Sequence, residues 1–351
     1  MTNRREFLMG AGALAAGSAL WGCKGPETVR CVPFGKALRI TGTFLDEISH
    51  DIPHQNWGER EWDADFGYMK AIGIDTVIMI RCGHRKFITY PSKYLLGKGC
   101  HMPSTDLVDM FLRLADKHGM SFYFGLYDPG KDLVNETDES PWLRDYTEAN
   151  LPIIEEVWKT YGHHKSFKGW YLSAEFAAKY MRTGIDTVRR LGRQCKDVSG
   201  GRPTFISPWI NGKKAVSAFN AVISKKQIDT ADEHAKKWDE IFDAIHEVVD
   251  ACAFQDGHVD FEDLDQFLTI NKTLCGKYGI ASWTNTETFD RDMPIKFLPI
   301  KFDKLRMKLE AAGRNGYEKA ITFEFSHFMS PQSVYSAAGN LYNRYREYFG
   351  V

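Results

Sequence analysis

The sequence predicts an α/β protein that folds as a single (β/α)8 barrel of the TIM type. Eight short runs of β-forming and apolar residues alternate along the 351 residues with segments whose apolar side chains recur at helical spacing. Glycines such as Gly73, Gly119, Gly279 and Gly316 stand where a helical segment gives way to the next strand. A doubly wound sheet usually needs fewer strands and a Gly-rich phosphate turn, so the pattern favours the barrel.

The strands and helices follow one another in a regular order. We predict strands over residues 38–44, 74–81, 120–127, 167–175, 203–210, 251–256, 280–287 and 320–327. We predict the helices over residues 61–72, 104–119, 153–161, 185–191, 238–249, 261–268 and 302–309, with a last helix from Pro331.

The third unit illustrates the signals on which these bounds rest. Ser104 or Thr105 can cap a helix, Leu107 and Leu114 lie on one of its sides, and Gly119 ends it. Strand 74–81 is an almost continuous apolar run, which is typical of a parallel strand buried on both faces. Connections that follow strands two, three, five and seven are long and polar, as at the C-terminal face where such barrels bind substrates.

The first 23 residues resemble an export signal. Arg4-Arg5 precede an apolar stretch over residues 9–20, which is too short to span a bilayer. Residues 20–23 are similar to a bacterial lipobox, in which Cys23 would be acylated. We expect a twin-arginine or lipoprotein-type signal peptide over residues 1–23, a tether over 24–37 and the barrel over 38–351, in a protein exported to the periplasm or cell envelope with a lipid anchor at Cys23.

Composition and cysteine spacing exclude several classes of protein. The formal net charge of −1 and the absence of a dense basic run argue against a nucleic-acid partner. The six cysteines after Cys23 show no Cys-x-x-Cys spacing, so we expect no zinc site. Four of them, Cys82, Cys195, Cys252 and Cys275, lie in apolar stretches typical of buried thiols, and the pair to test for a disulfide is Cys82 with Cys100.

The ends of the predicted strands carry polar and aromatic side chains that could line a cleft. Asp46 and Glu47 end the first strand, and Glu175 and Glu287 end the fourth and seventh. The candidate substrate-binding residues are Trp57, Arg81, Tyr127, Asp128, Trp209, Asn211, Gln255, Asp256, Asn285 and His327. An Arg or Asp at a strand end is more often a salt-bridged structural group, so Arg81, Asp128 and Asp256 have that alternative.

Glu175 and Glu287 together suit glycoside hydrolysis, which uses two carboxyl groups on either side of a glycosidic bond. Both project beside polar residues, because Tyr171 and Ser173 share a strand face with Glu175 and Asn285 shares one with Glu287. Glu324, between two phenylalanines, is read as a buried structural acid, with a third cleft carboxylate as the alternative.

At these two strand ends the chain resembles clan A glycoside hydrolases, and it looks similar to exported glycoside-hydrolase-like barrels of gut bacteria without an assigned substrate. The resemblance implies that Glu175 is the general acid/base and Glu287 the nucleophile of a retaining enzyme that needs no metal or other cofactor. Clan A enzymes usually have Asn before the strand-four glutamate, where this chain has Ala174. Strand eight also lacks the tryptophan on which many of them stack a sugar, so Trp57, Trp142 or Trp209 would have that role.

Two alternatives stay open. The barrel could be an inactive glycan-binding surface lipoprotein, a possibility that Ala174 favours. A metal-dependent hydrolase is less favoured, because the sequence lacks His-x-His or His-Glu-x-x-His spacing. A nucleophile at Cys100-His101 is weaker still, since sequence neighbours on a loop need not face each other.

Overall fold

The computed structural model describes residues 37–49, 52–130, 141–175, 178–216, 225–292 and 297–351. Within these ranges eight strands close into a barrel. They are β1 Ile40–Leu45, β2 Thr76–Met79, β3 Ser121–Gly125, β4 Phe167–Tyr171, β5 Thr204–Ile206, β6 Ala251–Gln255, β7 Ala281–Asn285 and β8 Lys319–Thr322.

A long helix follows each strand in the described part of the chain. These helices are α1 Glu59–Ala71, α2 Leu107–His118, α3 Pro141–Tyr161, α4 Ala178–Ser199, α5 Ala231–Ile245, α6 Phe261–Lys277, α7 Phe302–Arg314 and α8 Ser336–Phe349. Each strand pairs in parallel with its neighbours in the chain, and β8 closes the circle by pairing with β1. The predicted (β/α)8 barrel is therefore confirmed.

Local signals in the sequence account for the ends of several helices. Helix α2 begins after Asp106, whose side chain accepts a hydrogen bond from the backbone N–H of Asp109 at 3.0 Å. It ends at Gly119, which has φ +63° and so adopts the left-handed conformation that glycine tolerates best. Helix α5 begins with a capping box in which Thr230 and Glu233 exchange hydrogen bonds.

Aromatic rings fill the interior of the barrel. The ring of Phe205 on β5 has its centroid 5.1 Å from that of Tyr171, 5.3 Å from Trp283, 6.3 Å from Phe44 and 6.3 Å from Tyr123. These rings come from strands around the circle, and all the strands turn alternate side chains inward. The interior is therefore a packed core that supports the residues at the C-terminal ends of the strands.

The eighth strand is shorter than predicted. It ends at Thr322, and Phe325–Phe328 form a short helix instead of continuing the strand to residue 327. The Glu324 side chain accepts a hydrogen bond from the backbone N–H of His327 at 2.6 Å, so Glu324 caps this helix. The last helix likewise begins at Ser336, later than the predicted start at Pro331.

The predicted buried thiols are confirmed, and the Cys82–Cys100 pair is not bonded. Cys82, Cys195, Cys252 and Cys275 are fully buried free thiols, and Cys100 is a half-buried free thiol. The predicted signal peptide, the tether and the candidate anchor Cys23 fall almost entirely on residues 1–36, outside the described residues. Over the ranges described, no helix is both long and apolar enough to cross a membrane.

Candidate active site

Glu287 lies two residues beyond β7 and is 2% exposed. The Arg291 guanidinium donates to both of its oxygens, from Nε to Oε2 at 2.6 Å and from Nη2 to Oε1 at 2.6 Å. Burial alone would lower the pKa of Arg291, but the carboxylates of Glu287, Asp256 and Glu175 together raise it above its ordinary value. This two-point ion pair fixes the plane of the Glu287 carboxylate.

Gly257 provides the space for that ion pair. A Cβ atom at this position would lie 1.7 Å from Oε2 of Glu287 and 2.3 Å from Nε of Arg291. Both contacts are far inside the van der Waals limit, so any larger residue would displace the carboxylate. Glycine is required here for close approach to the ion pair.

A second buried ion pair holds the backbone of Glu287. Lys308 on α7 donates from Nζ to Oδ1 of Asp256 at 2.8 Å, and the same oxygen accepts the backbone N–H of Glu287 at 3.1 Å. Burial is the main cause that raises the pKa of Asp256, and the charge of Lys308 opposes it. Asp256 was expected to bind substrate. In the structure Asp256 instead contacts Lys308 and the backbone of Glu287, so its contacts are those of a structural carboxylate.

Glu175 lies four residues beyond the inward-facing Tyr171 and is half-buried. The Tyr171 hydroxyl donates to its Oε1 at 3.0 Å. Ser173, between them, donates from Oγ to the carbonyl of Leu126 at 2.9 Å. Glu175 and Glu287 both follow the C-terminal ends of parallel barrel strands, β4 and β7, so both lie on the C-terminal face of the barrel.

Two arginines lie in the electrostatic field of Glu175. It is among the negative charges that raise the pKa of Arg81 against the opposing effect of burial, and the same holds for Arg291. Arg291 therefore responds to the charges of both Glu175 and Glu287. The catalytic roles of Glu175 and Glu287 stay a prediction from the sequence.

Arg81, Asp128 and His84 form a linked group beside that site. Arg81 Nη1 lies 3.0 Å from Oδ2 of Asp128, and His84 Nδ1 lies 3.2 Å from the same oxygen. Burial alone would raise the pKa of Asp128, but His84 and Arg81 lower it. These ion pairs agree with the structural alternative for Arg81 and Asp128, and their role in binding substrate stays a prediction.

Tyr127 also has a structural contact in place of the expected substrate contact. Its hydroxyl donates to the backbone carbonyl of Arg85 at 2.6 Å, and its ring is buried. The side chain of Asn150 bonds both the N–H and the carbonyl of Tyr127. The residue thus anchors the connection that follows β2.

A cluster of titratable groups lies where β8 and β1 end. His327 is fully buried, with Nδ1 on Glu324 and Nε2 2.7 Å from the carbonyl of Pro53. Burial would lower its pKa, but Glu324 raises it to about 9. Both ring nitrogens have protein partners in this buried position, so the structure gives His327 a structural contact where a substrate contact was expected. Glu324 is the buried structural acid that the sequence favoured.

The carboxyl group of Glu47, which belongs to this cluster, has a raised pKa. Burial raises its pKa to about 7, the charges of Glu324 and Asp46 add to this, and His327 opposes it. Its side chain is 11% exposed, with His54 Nδ1 3.8 Å from Oε2. A carboxyl group that is part-protonated near neutral pH can donate a proton, so Glu47 has the property that a general acid needs.

Trp209, Gln255 and Asn285 lie side by side at the ends of three neighbouring strands. Gln255 pairs with Trp209 on one side and with Asn285 on the other. The amide nitrogen of Asn285 donates to Ser207 Oγ at 3.0 Å, and that of Gln255 donates to the Ser207 carbonyl at 2.8 Å. These three residues form a polar row beside Glu287.

The three tryptophans expected to stack on a sugar differ in how far their rings are exposed. Trp142 is 2% exposed and stacks on Tyr146, so its ring is part of the core and presents no face to a ligand. Trp57 is half-buried with its ring edge on Trp62. Trp209 is half-buried against His258, with ring centroids 5.2 Å apart. Asn211 is buried and donates to Asp229 at 3.3 Å, so it lies deeper than expected.

Sequence reasoning missed three residues that shape the site: Arg291, Gly257 and Lys308. Arg291 is four residues from Glu287, but both lie outside helices, so the spacing carried no signal. Lys308 meets Asp256 across 52 positions of the chain, which a single sequence cannot reveal. In the part of the chain described, no group of three or more His, Cys, Asp and Glu side chains is arranged to hold a metal ion.

Known proteins are similar to this chain in sequence and in fold. Residues 40–335 match the family described as "Domain of unknown function (DUF4434)". A crystallised protein of Bacteroides thetaiotaomicron VPI-5482, described as a "putative alpha-L-fucosidase", is 61% identical over 95% of this chain and 100% of that one, with a TM-score of 0.84. No curated protein matches the chain.

More distant solved structures share the barrel. A β-D-glucuronidase of Dictyoglomus thermophilum is 15% identical over 89% of this chain and 50% of its own, with a TM-score of 0.51. A β-galactosidase of the Antarctic haloarchaeon Halorubrum lacusprofundi is 12% identical over 84% and 54%, with a TM-score of 0.51. At these identities the likeness concerns the fold alone. It is a fold that glycoside hydrolases use, as the sequence resemblance implied.

Proposed function

The chain belongs to the family described as DUF4434, and we propose that it is a glycoside hydrolase whose catalytic groups are Glu175 and Glu287. The observation that supports the proposal is that both glutamates follow the C-terminal ends of barrel strands, β4 and β7, and that both contribute to the raised pKa of the same cation, Arg291. The description of the 61% identical relative as a "putative alpha-L-fucosidase" supports a glycosidase. It also makes an α-L-fucoside the first substrate to test.

Glu287 is assigned the role of nucleophile. Its carboxylate is paired by two short hydrogen bonds with Arg291, and its backbone N–H is fixed by Asp256. A nucleophile must be ionised and held against the anomeric carbon, and a bidentate arginine meets the first need while restricting rotation of the carboxylate. Preorganisation of this kind lowers the cost of reaching the reactive geometry.

Glu175 is assigned the role of general acid/base. It is half-buried, at the mouth, and contacts the Tyr171 hydroxyl at 3.0 Å. In the first step it would protonate the leaving oxygen, and in the second it would take a proton from the attacking water. Glu47, with a pKa of about 7, is the competing general acid.

Single-residue variants test the assignment. Glu287→Gln should abolish turnover of every aryl glycoside that the wild type cleaves. Glu175→Gln should slow substrates with poor leaving groups by about 10²- to 10⁴-fold and spare those with good ones. Glu47→Gln is the matched test of the competitor, and Glu262→Gln, at an exposed position on α6, is the control. If Glu47→Gln shows the leaving-group dependence and Glu175→Gln does not, the acid role belongs to Glu47.

The stereochemistry of the product tests the retaining mechanism. Proton NMR of the first anomer formed from 4-nitrophenyl α-L-fucoside, or from any aryl glycoside that is cleaved, should show retained configuration. Retention requires the two carboxyl groups roughly 5 to 5.5 Å apart, and inversion requires roughly 6.5 to 9.5 Å. An inverted first product would refute the nucleophilic role of Glu287.

The second candidate function is that of a glycan-binding lipoprotein without catalysis. Ala174 favours it, because a buried methyl group offers no hydrogen bond to the sugar at a position where clan A enzymes usually have an amide. Substituting Ala174→Asn should then not raise turnover. Binding of a glycan without any turnover across aryl glycosides, in the wild type and in Ala174→Asn, would favour the lipoprotein.

A further inference from the structure

The connection between β2 and α2 carries an exposed surface that the proposed reaction does not use. Its six members are exposed side chains, of which three are cationic, two are aromatic and one is large and apolar. They are Arg85, Lys86, Phe87, Lys98, His101 and Met102, together called the 85–102 patch. Phe87 is 64% exposed and Met102 is 63% exposed, which is unusual for such side chains on a soluble surface.

The patch lies on the face of the barrel that carries the candidate active site. Gly83–His84 pair with Phe87–Ile88 in a short hairpin, with His84 directly opposite Phe87. His84 contacts Asp128, which in turn binds Arg81, and Arg81 lies in the field of Glu175. Contacts therefore lead from the exposed ring to Arg81, whose pKa the charge of Glu175 helps to raise.

Internal hydrogen bonds hold the patch in place. Arg85 has φ +54°, and its carbonyl accepts the Tyr127 hydroxyl at 2.6 Å. The backbone N–H of His101 donates to the Lys86 carbonyl at 2.7 Å, and the His101 ring packs on Phe87 with centroids 5.1 Å apart. The ring of Phe87 is thus supported on one side and open on the other.

The cations of the patch are available to a ligand. Arg85 donates to a backbone carbonyl of Gly130 and Lys86 to that of Lys98, and Lys98 lies over the ring of Tyr94. Within the described residues, none of these three cations forms an ion pair with a carboxylate, whereas Lys93 nearby bonds Glu156 through its backbone. The whole chain has a formal net charge of −1, so this positive charge is local.

We propose that the 85–102 patch binds an anionic segment of a glycan, with a sugar ring on Phe87 and the carboxylate or sulfate groups on the cations. Ring faces pack well against the C–H surface of a sugar, and exposed cations select acidic sugars. The proposal rests on the proposed function, because it takes the glycan to continue from the catalytic mouth. A polysaccharide is favoured over a nucleic acid because the patch adjoins that mouth and the rest of the surface is not basic.

Affinity electrophoresis of the full chain tests the proposal. The Glu287→Gln protein is run in gels that contain dextran sulfate or polygalacturonate, and in gels with their uncharged counterparts, dextran and methyl-esterified polygalacturonate. Patch variants are Phe87→Ala and the double substitution Lys86→Ala with Lys98→Ala. Controls are Met307→Ala and Lys236→Ala, which remove an exposed apolar and an exposed cationic side chain from α7 and α5.

The expected result is retardation by at least one acidic polymer, about fivefold weaker in the patch variants and unchanged in the controls. Dextran sulfate and polygalacturonate then distinguish sulfate from carboxylate recognition. The proposal is overturned if no polymer retards the protein, if the uncharged polymers retard it equally, or if Phe87→Ala behaves like Met307→Ala. Further gels contain polyphosphate or single-stranded RNA, and equal retardation in these would also overturn the proposal. Failure of aryl-glycoside turnover would instead refute the proposed function and leave the gel result standing.

Discussion

The stability of the barrel should fall as the pH rises from about 6.5 to 9, because of His327. Its two ring nitrogens face Glu324 and the Pro53 carbonyl, and only the imidazolium form can donate to both. Its pKa is raised from 6.5 to about 9 in the folded protein. A raised pKa means that the stabilisation is fully present below the unfolded pKa and is lost as the pH passes the folded pKa.

The size of the effect follows from the shift. About 2.5 pKa units correspond to about 3 kcal/mol of unfolding free energy. Glu47 and Asp65, whose pKa values burial raises to about 7, also make stability fall as the pH rises, between about pH 4 and 7. Burial raises the pKa of the Cys82, Cys195 and Cys252 thiols well above the ordinary value, so these groups lower stability above about pH 8.5. The difference between the wild type and a variant without His327 therefore isolates His327.

Urea unfolding followed by tryptophan fluorescence between pH 6 and 9.5 measures the effect. Between these limits the wild type should lose about 3 kcal/mol more than His327→Gln, and His327→Gln should be the less stable of the two at pH 6. His163→Gln, at an exposed histidine, is the control and should follow the wild type. An identical pH dependence in the wild type and His327→Gln would refute the reasoning.

Three further predictions concern the site and the export of the chain. Gly257→Ala should lower turnover by at least about 100-fold, because the added methyl group displaces the Glu287 carboxylate and a displacement on the order of 1 Å at a reacting group has that effect. The control is Gly276→Ala, where a Cβ atom meets nothing within 4 Å. Equal turnover rates in the two variants would contradict the close approach of Gly257 to the ion pair. Lys308→Met should lower the unfolding free energy by about 3 to 5 kcal/mol, because it leaves the buried Asp256 carboxylate without its cation. Adding Asp256→Asn should recover part of that loss, and urea unfolding measures both variants. Fractionation of cells should find the wild type in the membrane and Cys23→Ala released, and a wild type confined to the cytosol would remove the export prediction.

The repeating elements of the fold could be predicted because each depends on neighbours in the sequence. Apolar spacing and glycines such as Gly119 marked the helices and their ends, and all eight barrel strands overlap the predicted ones. The end of β8 could not be predicted, because the cap that Glu324 provides turns an apolar run into a short helix. A hydrophobic run of this length is compatible with either structure.

The candidate site could be predicted only in part. Strand ends are visible in the sequence, so Glu175 and Glu287 could be chosen, and their roles remain a proposal. Which polar group is already occupied depends on partners that are distant in sequence, as with Asp256 and Lys308. Ring exposure is likewise a property of tertiary packing, which is why Trp142 was expected in the cleft.

The aromatic rings that fill the interior of the barrel form a column that packs directly beneath the candidate active site. Phe205 packs against Tyr171, and the Tyr171 hydroxyl donates to Glu175, so one residue connects the packed interior with a candidate catalytic side chain. Replacing Phe205 with a smaller residue would loosen Tyr171 without touching any sugar. In laboratory evolution, substitutions in this column should therefore change heat tolerance and substrate turnover together, whereas substitutions on the outer helices can improve the first while leaving the second alone.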